Sequence, residues 1–354
     1  MLLLTGSVVI SFFATEIFLR VVRLGYNNSP LTPSDTLHHK HPSNFSFIAY
    51  SPQGEWDGFA IKTNQFGDRV EDSCKSKIKS GQTILLGDSF IEGYQVQDPD
   101  TIAGKLQSLT CSQGVKVQNL GVSSYSPLLS YAQLYHRIHN KEIVLDSTKE
   151  NTIIHFLYDN DIQADRMYEV SLVESTPCPI IGATETLSPI QIASRHSYTL
   201  RLLRRFQLTL EALSKSDRSV GSDIARAKRF SPNNNCQKSN EDLASTSKYI
   251  ESLKDLSHSI GANYLVSAIP ADSRKARSTN YSCFRRIADL AGVEFIDAPS
   301  ELFSNPERYY FEKDIHLNSK GSILFAEEVF KNVRFNKSKT PAKLLSNDVD
   351  TGRG

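Results

Sequence analysis

Residues 83–90 read Thr-Ile-Leu-Leu-Gly-Asp-Ser-Phe and carry a clear indication of the fold class. The apolar run 83–86 ends at Gly87, which is typical of a buried parallel strand that stops at a turn. Asp88 and Ser89 follow, at the start of a predicted helix. Functional residues of doubly wound sheets lie at the carboxyl ends of the strands, so Ser89 stands where a site is expected. A turn with a capping serine would explain the tripeptide equally well by itself.

Strand and helix patterns alternate on both sides of this stretch. The sequence predicts strands at 83–86, 115–120, 152–157, 262–269 and 293–296, and helices at 100–109, 127–138, 242–260, 285–290 and 321–333. Such alternation predicts βαβ units and a parallel sheet, and therefore an α/β protein. The alternation lapses at about 165–241, which predicts an insertion. An amphipathic helix with a basic side is predicted at 200–213 within it. Either this helix is a cap packed on the domain with its charges in water, or its basic side meets membrane lipid or an anionic polymer.

The composition is that of an ordinary globular protein. The chain has 354 residues, of which 39% are hydrophobic and 22% charged, and its formal net charge is +1. This length suits one large α/β domain with additions, or two small domains. Because neither a basic stripe nor a run of like charge is present, we expect no nucleic-acid partner.

The first residues form an apolar run, 1–14, that carries no charge; Glu16, Arg20 and Arg23 follow it. The run is shorter than the roughly 20 residues of a spanning helix, and it lacks the basic start and cleavage site of a signal peptide. A buried or interfacial helix is the alternative, but we favour an uncleaved membrane anchor. The two arginines would place the following chain in the cytoplasm by the positive-inside rule, so the orientation stays open.

The chain divides into four predicted parts. They are an anchor (1–25), a surface linker (26–52), a main domain (53–335) and a disordered tail (336–354). We expect the linker histidines His38, His39 and His41 to be solvated, and we expect no metal or cofactor. The five cysteines lack metal-ligand spacing, and Cys74–Cys111 is the first choice for a disulfide in an oxidising compartment.

Asp314-Ile-His316 precedes the last predicted helix. A serine hydroxyl becomes nucleophilic when a base within hydrogen-bond reach takes its proton, and histidine suits that role at neutral pH. A carboxylate two residues earlier reaches the imidazole Nδ1 and fixes its tautomer. The alternative is an ordinary surface histidine beside an aspartate. Together with Ser89, however, the pair predicts a serine nucleophile with Asp314 and His316 as its activating residues.

Two more loops end at the same predicted edge of the sheet. Residues 119–124 (Asn-Leu-Gly-Val-Ser-Ser) follow the second strand, and residues 158–161 (Tyr-Asp-Asn-Asp) follow the third. A backbone N–H of the first loop and the side-chain amide of Asn160 would serve as oxyanion-hole donors. The alternative for each loop is turn geometry alone. Four such coincidences at one edge favour a catalytic site.

The order of these segments resembles the four sequence blocks of SGNH (GDSL-like) hydrolases, and in particular their membrane-anchored bacterial branch. The resemblance covers roughly residues 60–165 and 245–333. It is carried by TNQFGDR (63–69), ILLGDSF (84–90) with Gly93, VQNLGVSSYS (117–126), FLYDNDI (156–162), DIHLNSKG (314–321) and the hydrophobic start that ends in Glu16 and Arg20.

The resemblance implies a flavodoxin-like three-layer α/β/α sandwich with a catalytic domain outside the cytoplasm. It implies Ser89 as nucleophile, His316 as base and Asp314 as its orienting group. The oxyanion hole would comprise the N–H groups of Ser89 and Ser124 and the side chain of Asn160. Supporting roles are expected for Asp88 and Gly121.

The chain departs from the family pattern at three places. Ser124 replaces the usual loop glycine and tolerates a positive φ less well. Tyr158 replaces a frequent glycine. Asp314 precedes His316 by two residues, where many members have three. We expect activity to survive all three changes, with Ser124 able to slow it.

The predicted function is therefore hydrolysis of an O-acyl ester through a Ser89 acyl-enzyme. Polysaccharide O-acetyl groups of the cell envelope are the first substrate class. Acyl transfer to a sugar hydroxyl with the same triad and hydrolysis of a lysophospholipid are alternatives. A non-catalytic glycan-binding protein is the alternative from another class, since fold alone does not establish function. A nucleotide-binding protein is disfavoured because the loop after the first strand lacks a glycine run and its Asp88 would repel phosphate.

Overall fold

The computed structural model describes residues 2–22, 30–51, 53–70, 80–174, 178–183, 189, 193, 197–219, 236–276 and 279–333. Its strands are β1 (Thr32–Ser34), β2 (His38–Lys40), β3 (Ser46–Tyr50), β4 (Asp57–Lys62), β5 (Gln82–Leu86), β6 (Lys116–Asn119), β7 (Asn151–Leu157), β8 (Leu172–Glu174), β9 (Pro179–Ile181), β10 (Ala262–Ala268) and β11 (Glu294–Ile296). Its helices are α1 (Leu2–Val22), α2 (Ser89–Glu92), α3 (Ile102–Thr110), α4 (Pro127–His139), α5 (Asp161–Glu169), α6 (Tyr198–Ser219), α7 (Asn240–Ser259), α8 (Tyr281–Ala291), α9 (Glu301–Ser304), α10 (Pro306–Tyr309) and α11 (Ser319–Asn332).

Five strands form one parallel sheet in the order β11-β10-β7-β5-β6. All seven residues of β7 are buried, as expected for a strand covered on both faces. Helices α3 and α11 pack together, and α4, α5, α7 and α8 form a second packed group. The fold is therefore the predicted α/β class, with a central parallel sheet between helices, and each predicted strand and helix lies within a few residues of an observed one.

The strand order reverses between β5 and β7. From β5 the chain moves outward to β6, then returns past β5 to β7 and continues to β10 and β11 on the other side. Such a topological switch point opens a crevice at the carboxyl ends of its strands. The first residues after β5 are Gly87, Asp88 and Ser89, so the fold places Ser89 at this crevice.

The prediction that residues 26–52 form a surface linker is wrong over much of that segment. Strands β1 and β2 form an antiparallel hairpin, and β3 pairs with β4 across the expected domain boundary at residue 53. His39 and His41 are buried, not solvated. Phe47 and Ala49 pack in a small core with Trp56 and Ile61. The apolar residues of this segment are too sparse in the sequence to predict strands. The residues that they pack on belong to later parts of the chain.

Helix α1 projects apolar side chains into the surroundings. Its segment Thr5–Val22 has a mean hydropathy of 1.6 over 18 residues, and 11% of that segment is buried. Within the described residues it is the one helix long and apolar enough to cross a membrane. Glu16 joins it to α6, because its carboxylate accepts hydrogen bonds from the N–H groups of Tyr198 and Thr199 at 3.0 and 2.9 Å.

Helix α6 includes the predicted amphipathic stretch at 200–213, and the described part of the predicted insertion also contains the antiparallel strands β8 and β9. The predicted tail beyond residue 335 lies outside the described residues, as does Cys74 of the predicted Cys74–Cys111 disulfide. Cys111 is disulfide-bonded. A second disulfide, which the sequence did not suggest, joins Cys236 to Cys283, and Cys178 is buried and not disulfide-bonded.

Candidate active site

Ser89 and His316 form the centre of the site. The Nε2 atom of His316 lies 2.7 Å from the Oγ atom of Ser89. Ser89 begins α2, and the Asp88 carboxylate caps this helix by accepting the Phe90 N–H at 2.9 Å. The imidazole is buried while Ser89 is half-exposed, so the hydroxyl remains accessible from the crevice.

Asp314 holds the other side of the imidazole. Its Oδ1 atom lies 2.5 Å from His316 Nδ1 and also accepts the His316 backbone N–H at 2.9 Å. Burial by itself would raise the pKa of Asp314, but the hydrogen bond to His316 and the nearby positive charge outweigh it and lower the pKa. An ionised Asp314 fixes the tautomer with hydrogen on Nδ1, which leaves Nε2 free to accept the Ser89 proton.

The loop that carries Asp314 is fixed from both sides. Glu55 accepts the N–H groups of Lys313 and Asp314 at 2.9 and 2.8 Å. Lys275 donates from Nζ to the Asp314 carbonyl at 2.7 Å. These contacts hold the loop in place. The carboxylate of Asp314 reaches the imidazole of His316 although only one residue separates them in the sequence.

Aromatic rings pack beside the imidazole. The Phe90 ring centroid lies 4.6 Å from that of His316, and Tyr158 lies 4.3 Å from Phe90. Tyr158 thus fills space that a glycine at this position would leave open. The Tyr158 ring also connects the loop after β7, which contains Asn160, to helix α2.

The loop after β6 packs closely on α2. A side chain at Gly121 would overlap the backbone of Ile91 and Glu92, so this close approach requires glycine. The Val122 N–H donates to the Gly87 carbonyl at 3.1 Å, which ties the loop to the strand end before Ser89. Ser124 lies at the exposed tip of the loop with φ 66°, in the left-handed region that glycine prefers.

The three predicted oxyanion-hole donors are free of protein partners. Within the described ranges, the N–H groups of Ser89 and Ser124 and the side-chain amide of Asn160 have no acceptor. Asn160 precedes α5, at the carboxyl end of β7, and its side chain is exposed. Ser89, His316 and Asp314 are in direct contact, whereas Ser124 and Asn160 lie on neighbouring loops at the same edge of the sheet. Donors without protein partners are what an oxyanion hole requires.

Three buried carboxyl groups lie on or next to the elements of the site, and the sequence singled out Asp88 but not Asp161 or Asp165. Burial raises the pKa of Asp161 well above its usual value, with the Asp88 charge adding to the effect. Burial likewise raises the pKa of Asp88 to about 6. A third buried carboxyl, Asp165, accepts the Leu128 N–H at 2.9 Å. Asp161 and Asp165 each resemble an ordinary turn or helix aspartate in the sequence, so no sequence signal distinguished them.

Sequence reasoning also missed the residues behind the loop after β6. His39 Nε2 lies 2.8 Å from the Ser123 carbonyl, and His41 forms a buried ion pair with Glu92. No cluster of three or more potential metal ligands occurs in the described part of the chain. His39 is thus a hydrogen-bonding partner of the loop, whereas His41 pairs with Glu92, which itself accepts the Ser123 N–H.

Comparison with known proteins gives distant structural similarities. No protein-family model matches the chain, and no curated protein matches it. A crystal structure of TesA aligns with a TM-score of 0.39 at 12% identity, over 71% of this chain and 96% of that one. The esterase EstA from Pseudoalteromonas sp. gives 0.38 at 11% identity, over 71% and 94%. A mutant of Axe2, an acetylxylan esterase from Geobacillus stearothermophilus, gives 0.40 at 9% identity, over 75% and 98%.

Proposed function

We propose that this protein is a serine esterase that hydrolyses O-acyl esters through a covalent Ser89 intermediate. The observation that carries the proposal is the continuous chain of contacts from Ser89 Oγ to His316 Nε2 at 2.7 Å and from His316 Nδ1 to Asp314 at 2.5 Å. This arrangement contains a nucleophile, a base and a group that orients the base, which is what activation of a serine hydroxyl needs.

Each proton has a path in the proposed acylation. Ser89 Oγ attacks the acyl carbon while His316 Nε2 takes the hydroxyl proton, and the carbonyl electron pair moves onto oxygen. The Ser89 and Ser124 N–H groups and the Asn160 amide donate hydrogen bonds to that oxyanion. The ester C–O bond then breaks, His316 returns the proton to the leaving alkoxide, and an alcohol departs from the acyl-enzyme.

Deacylation repeats the cycle with water. His316 takes a proton from a water molecule, whose oxygen attacks the acyl carbon of the Ser89 ester. Collapse of the second tetrahedral intermediate breaks the bond to Ser89 Oγ, and His316 protonates that oxygen. The carboxylic acid is released and the site is restored. Acyl transfer follows the same path if a sugar hydroxyl takes the place of water.

Turnover of chromogenic esters tests the proposal. We expect the full chain in detergent to hydrolyse p-nitrophenyl acetate and Ser89→Ala to lose this activity. A profile over acetyl, butyryl and longer chains separates deacetylation of a polysaccharide from lipid hydrolysis. Equal inactivity of two folded proteins would refute hydrolysis of simple esters. Transfer of an acetyl group from the same donor to a cell-envelope polysaccharide would then distinguish an acyltransferase from a glycan-binding protein.

A lipid-derived ester is a second candidate substrate because α6 exposes apolar residues next to α1. Leu203, Phe206 and Leu210 are all at least half exposed and recur at helical spacing. An amphipathic helix of this kind, attached to a membrane anchor, would lie at the lipid surface. Hydrolysis of lysophosphatidylcholine in mixed micelles that exceeds hydrolysis of p-nitrophenyl acetate would favour this candidate.

We further propose that α1 anchors the protein in a membrane with the α/β domain outside the cytoplasm. Exposed apolar side chains along Thr5–Val22 support the anchor. The Cys236–Cys283 disulfide and the bonded state of Cys111 favour an oxidising compartment. Protease added to intact spheroplasts should digest the domain. Protection until the membrane is permeabilised would place it in the cytoplasm, as the arginines after the apolar run suggest.

A further inference from the structure

The hairpin of β1 and β2 contacts the loop after β6, and the proposed reaction gives this hairpin no role. His39 lies in β2, 84 residues before Ser123, and its Nε2 atom lies 2.8 Å from the Ser123 carbonyl oxygen. Tyr125 returns the contact, because its hydroxyl donates to the His39 carbonyl at 2.7 Å. The hairpin of β1 and β2 therefore supports the loop whose tip is Ser124.

The His39 contact fixes a particular peptide group. The Ser123 carbonyl and the Ser124 N–H belong to the same trans peptide and point in opposite directions. Because His39 holds the carbonyl on the hairpin side, the N–H points away from the hairpin. A flip of this peptide would reverse both groups and leave the buried His39 N–H without its acceptor, which is costly for a buried donor.

The protonation state of His39 suits this contact. Burial lowers the pKa of His39 to about 4, with the charges of His38 and His41 adding to the decrease against the hydrogen bond to Ser123. The ring is therefore neutral at neutral pH and carries one N–H. The Ser123 carbonyl can only accept, so the single N–H of His39 is on Nε2, facing Ser123. His39 Nδ1 is then an acceptor, and His38 Nδ1, 2.8 Å away, donates to it.

A buried ion pair holds the preceding peptide. His41 Nε2 lies 3.0 Å from Glu92 Oε1, and both side chains are less than 5% exposed. Burial by itself would lower the pKa of His41, but the Glu92 carboxylate beside it raises the pKa overall. The other oxygen of Glu92 accepts the Ser123 N–H at 2.7 Å and also the Ser123 hydroxyl. Both peptide groups of Ser123 are thus fixed by residues outside the loop.

We propose that His39 is a positioning residue that keeps the Ser123–Ser124 peptide oriented for transition-state stabilisation, with the His41–Glu92 pair as its second support. The inference rests on the proposed function, in which the Ser124 N–H donates to the oxyanion. Removal of one oxyanion-hole donor typically costs about 100-fold to 1,000-fold in rate. Release of the peptide leaves that donor present part of the time, so we expect a fall in kcat of about tenfold to 100-fold with little change in KM.

Two amide variants of the full chain in detergent test the inference. Both Gln and Asn are neutral, and only the longer Gln side chain reaches the position of the histidine Nε2. We therefore expect His39→Asn to lose kcat and His39→Gln to retain most of it. His136→Asn is the matched control, because His136 Nε2 lies 2.8 Å from the Pro179 carbonyl, another histidine-to-backbone contact. His39→Leu is the alternative loss variant if His39→Asn does not fold.

Hydrogen–deuterium exchange over residues 121–126 gives a readout that needs no turnover. We expect faster exchange in His39→Asn, and rates close to wild type in His39→Gln and His136→Asn. The inference is overturned if a folded His39→Asn or His39→Leu keeps wild-type kcat and exchange, or if His136→Asn loses as much kcat. Absence of turnover in the wild type would refute the proposed function, while the exchange rates would still decide whether His39 holds the loop.

Discussion

The Ser89 hydroxyl and the His316 imidazole lie 2.7 Å apart although 227 positions of sequence separate them. The parallel sheet brings them together, because β5 delivers Ser89 to its carboxyl edge and the segment after α10 returns His316 to the same edge. Each residue is held by its own local structure, namely the helix cap at Asp88 and the hydrogen bonds of Asp314. The proposed nucleophile and its base are therefore each fixed by contacts within the protein.

Asp314→Asn should reduce kcat by roughly 100-fold to 10,000-fold while the fold is retained. An amide can present its N–H to Nδ1, which favours the imidazole tautomer with hydrogen on Nε2, and that tautomer cannot accept the Ser89 proton. Steady-state hydrolysis of p-nitrophenyl acetate measures the loss. Asp146→Asn is the control, since Asp146 lies on the surface away from the crevice. A variant Asp314→Asn with wild-type kcat would exclude the assigned role of Asp314.

Ser124→Gly should raise the free energy of unfolding by about 1 kcal/mol and should not reduce kcat. A non-glycine residue at φ 66° costs roughly 1–2 kcal/mol, and the greater chain entropy of glycine offsets part of the gain. Lys141→Gly is a matched control because Lys141 has φ 59° and lies outside the site. Urea denaturation measures both variants. Destabilisation by Ser124→Gly alone would mean that the serine side chain contributes contacts beyond its backbone.

Asp165 should make the protein less stable as the pH rises from about 4 to about 6. Burial raises the pKa of Asp165 from 3.8 to about 6, so the folded state holds the proton more tightly than the unfolded chain in this range. The stabilising contribution is complete below pH 4 and is lost as the pH passes 6. The difference in unfolding free energy between wild type and Asp165→Asn should change by about 2 kcal/mol between pH 4 and pH 6.

Urea denaturation of both proteins at pH 4, 5, 6 and 7 measures this difference. Asp289→Asn, at an exposed position of α8, serves as the control for removal of one surface carboxylate. A difference between wild type and Asp165→Asn that is constant with pH would contradict the predicted titration of Asp165.

The N-terminal boundary of the active protein should lie before residue 32, not at residue 53. A chain that starts at Pro30 lacks α1 but keeps both hairpins, and we expect it to retain activity. A chain that starts at Gln53 lacks β3, the partner of β4, and leaves Glu92 buried without His41. Loss of one partner of a buried ion pair costs about 3–5 kcal/mol. Thermal unfolding and ester hydrolysis of the two proteins should differ accordingly, and equal behaviour would show that the segment 30–52 is dispensable.

The sequence predicted the parts of the molecule that have a local signal. Apolar runs followed by glycine or polar residues marked β5, β6 and β7, and the position of Ser89 followed from the rule for strand ends. Asp314 and His316 were predicted as a pair because their spacing is itself local, and their side chains are in contact. Contacts between distant segments had no such signal. His39 and Ser123 are an example, since nothing in residues 26–52 distinguishes a hairpin that supports the loop from a polar linker.

The assignment of Ser89 as the nucleophile is tested by mass measurement after labelling with a serine-reactive reagent. The full chain in detergent is incubated with a fluorophosphonate, which reacts with a serine activated by a histidine, and the intact mass and the modified peptide are determined. We predict one adduct per chain, located on Ser89, and no adduct in His316→Ala or Ser89→Ala. An unmodified wild-type protein that is shown to be folded, or an adduct that persists in Ser89→Ala, would contradict the assignment of Ser89 as the nucleophile.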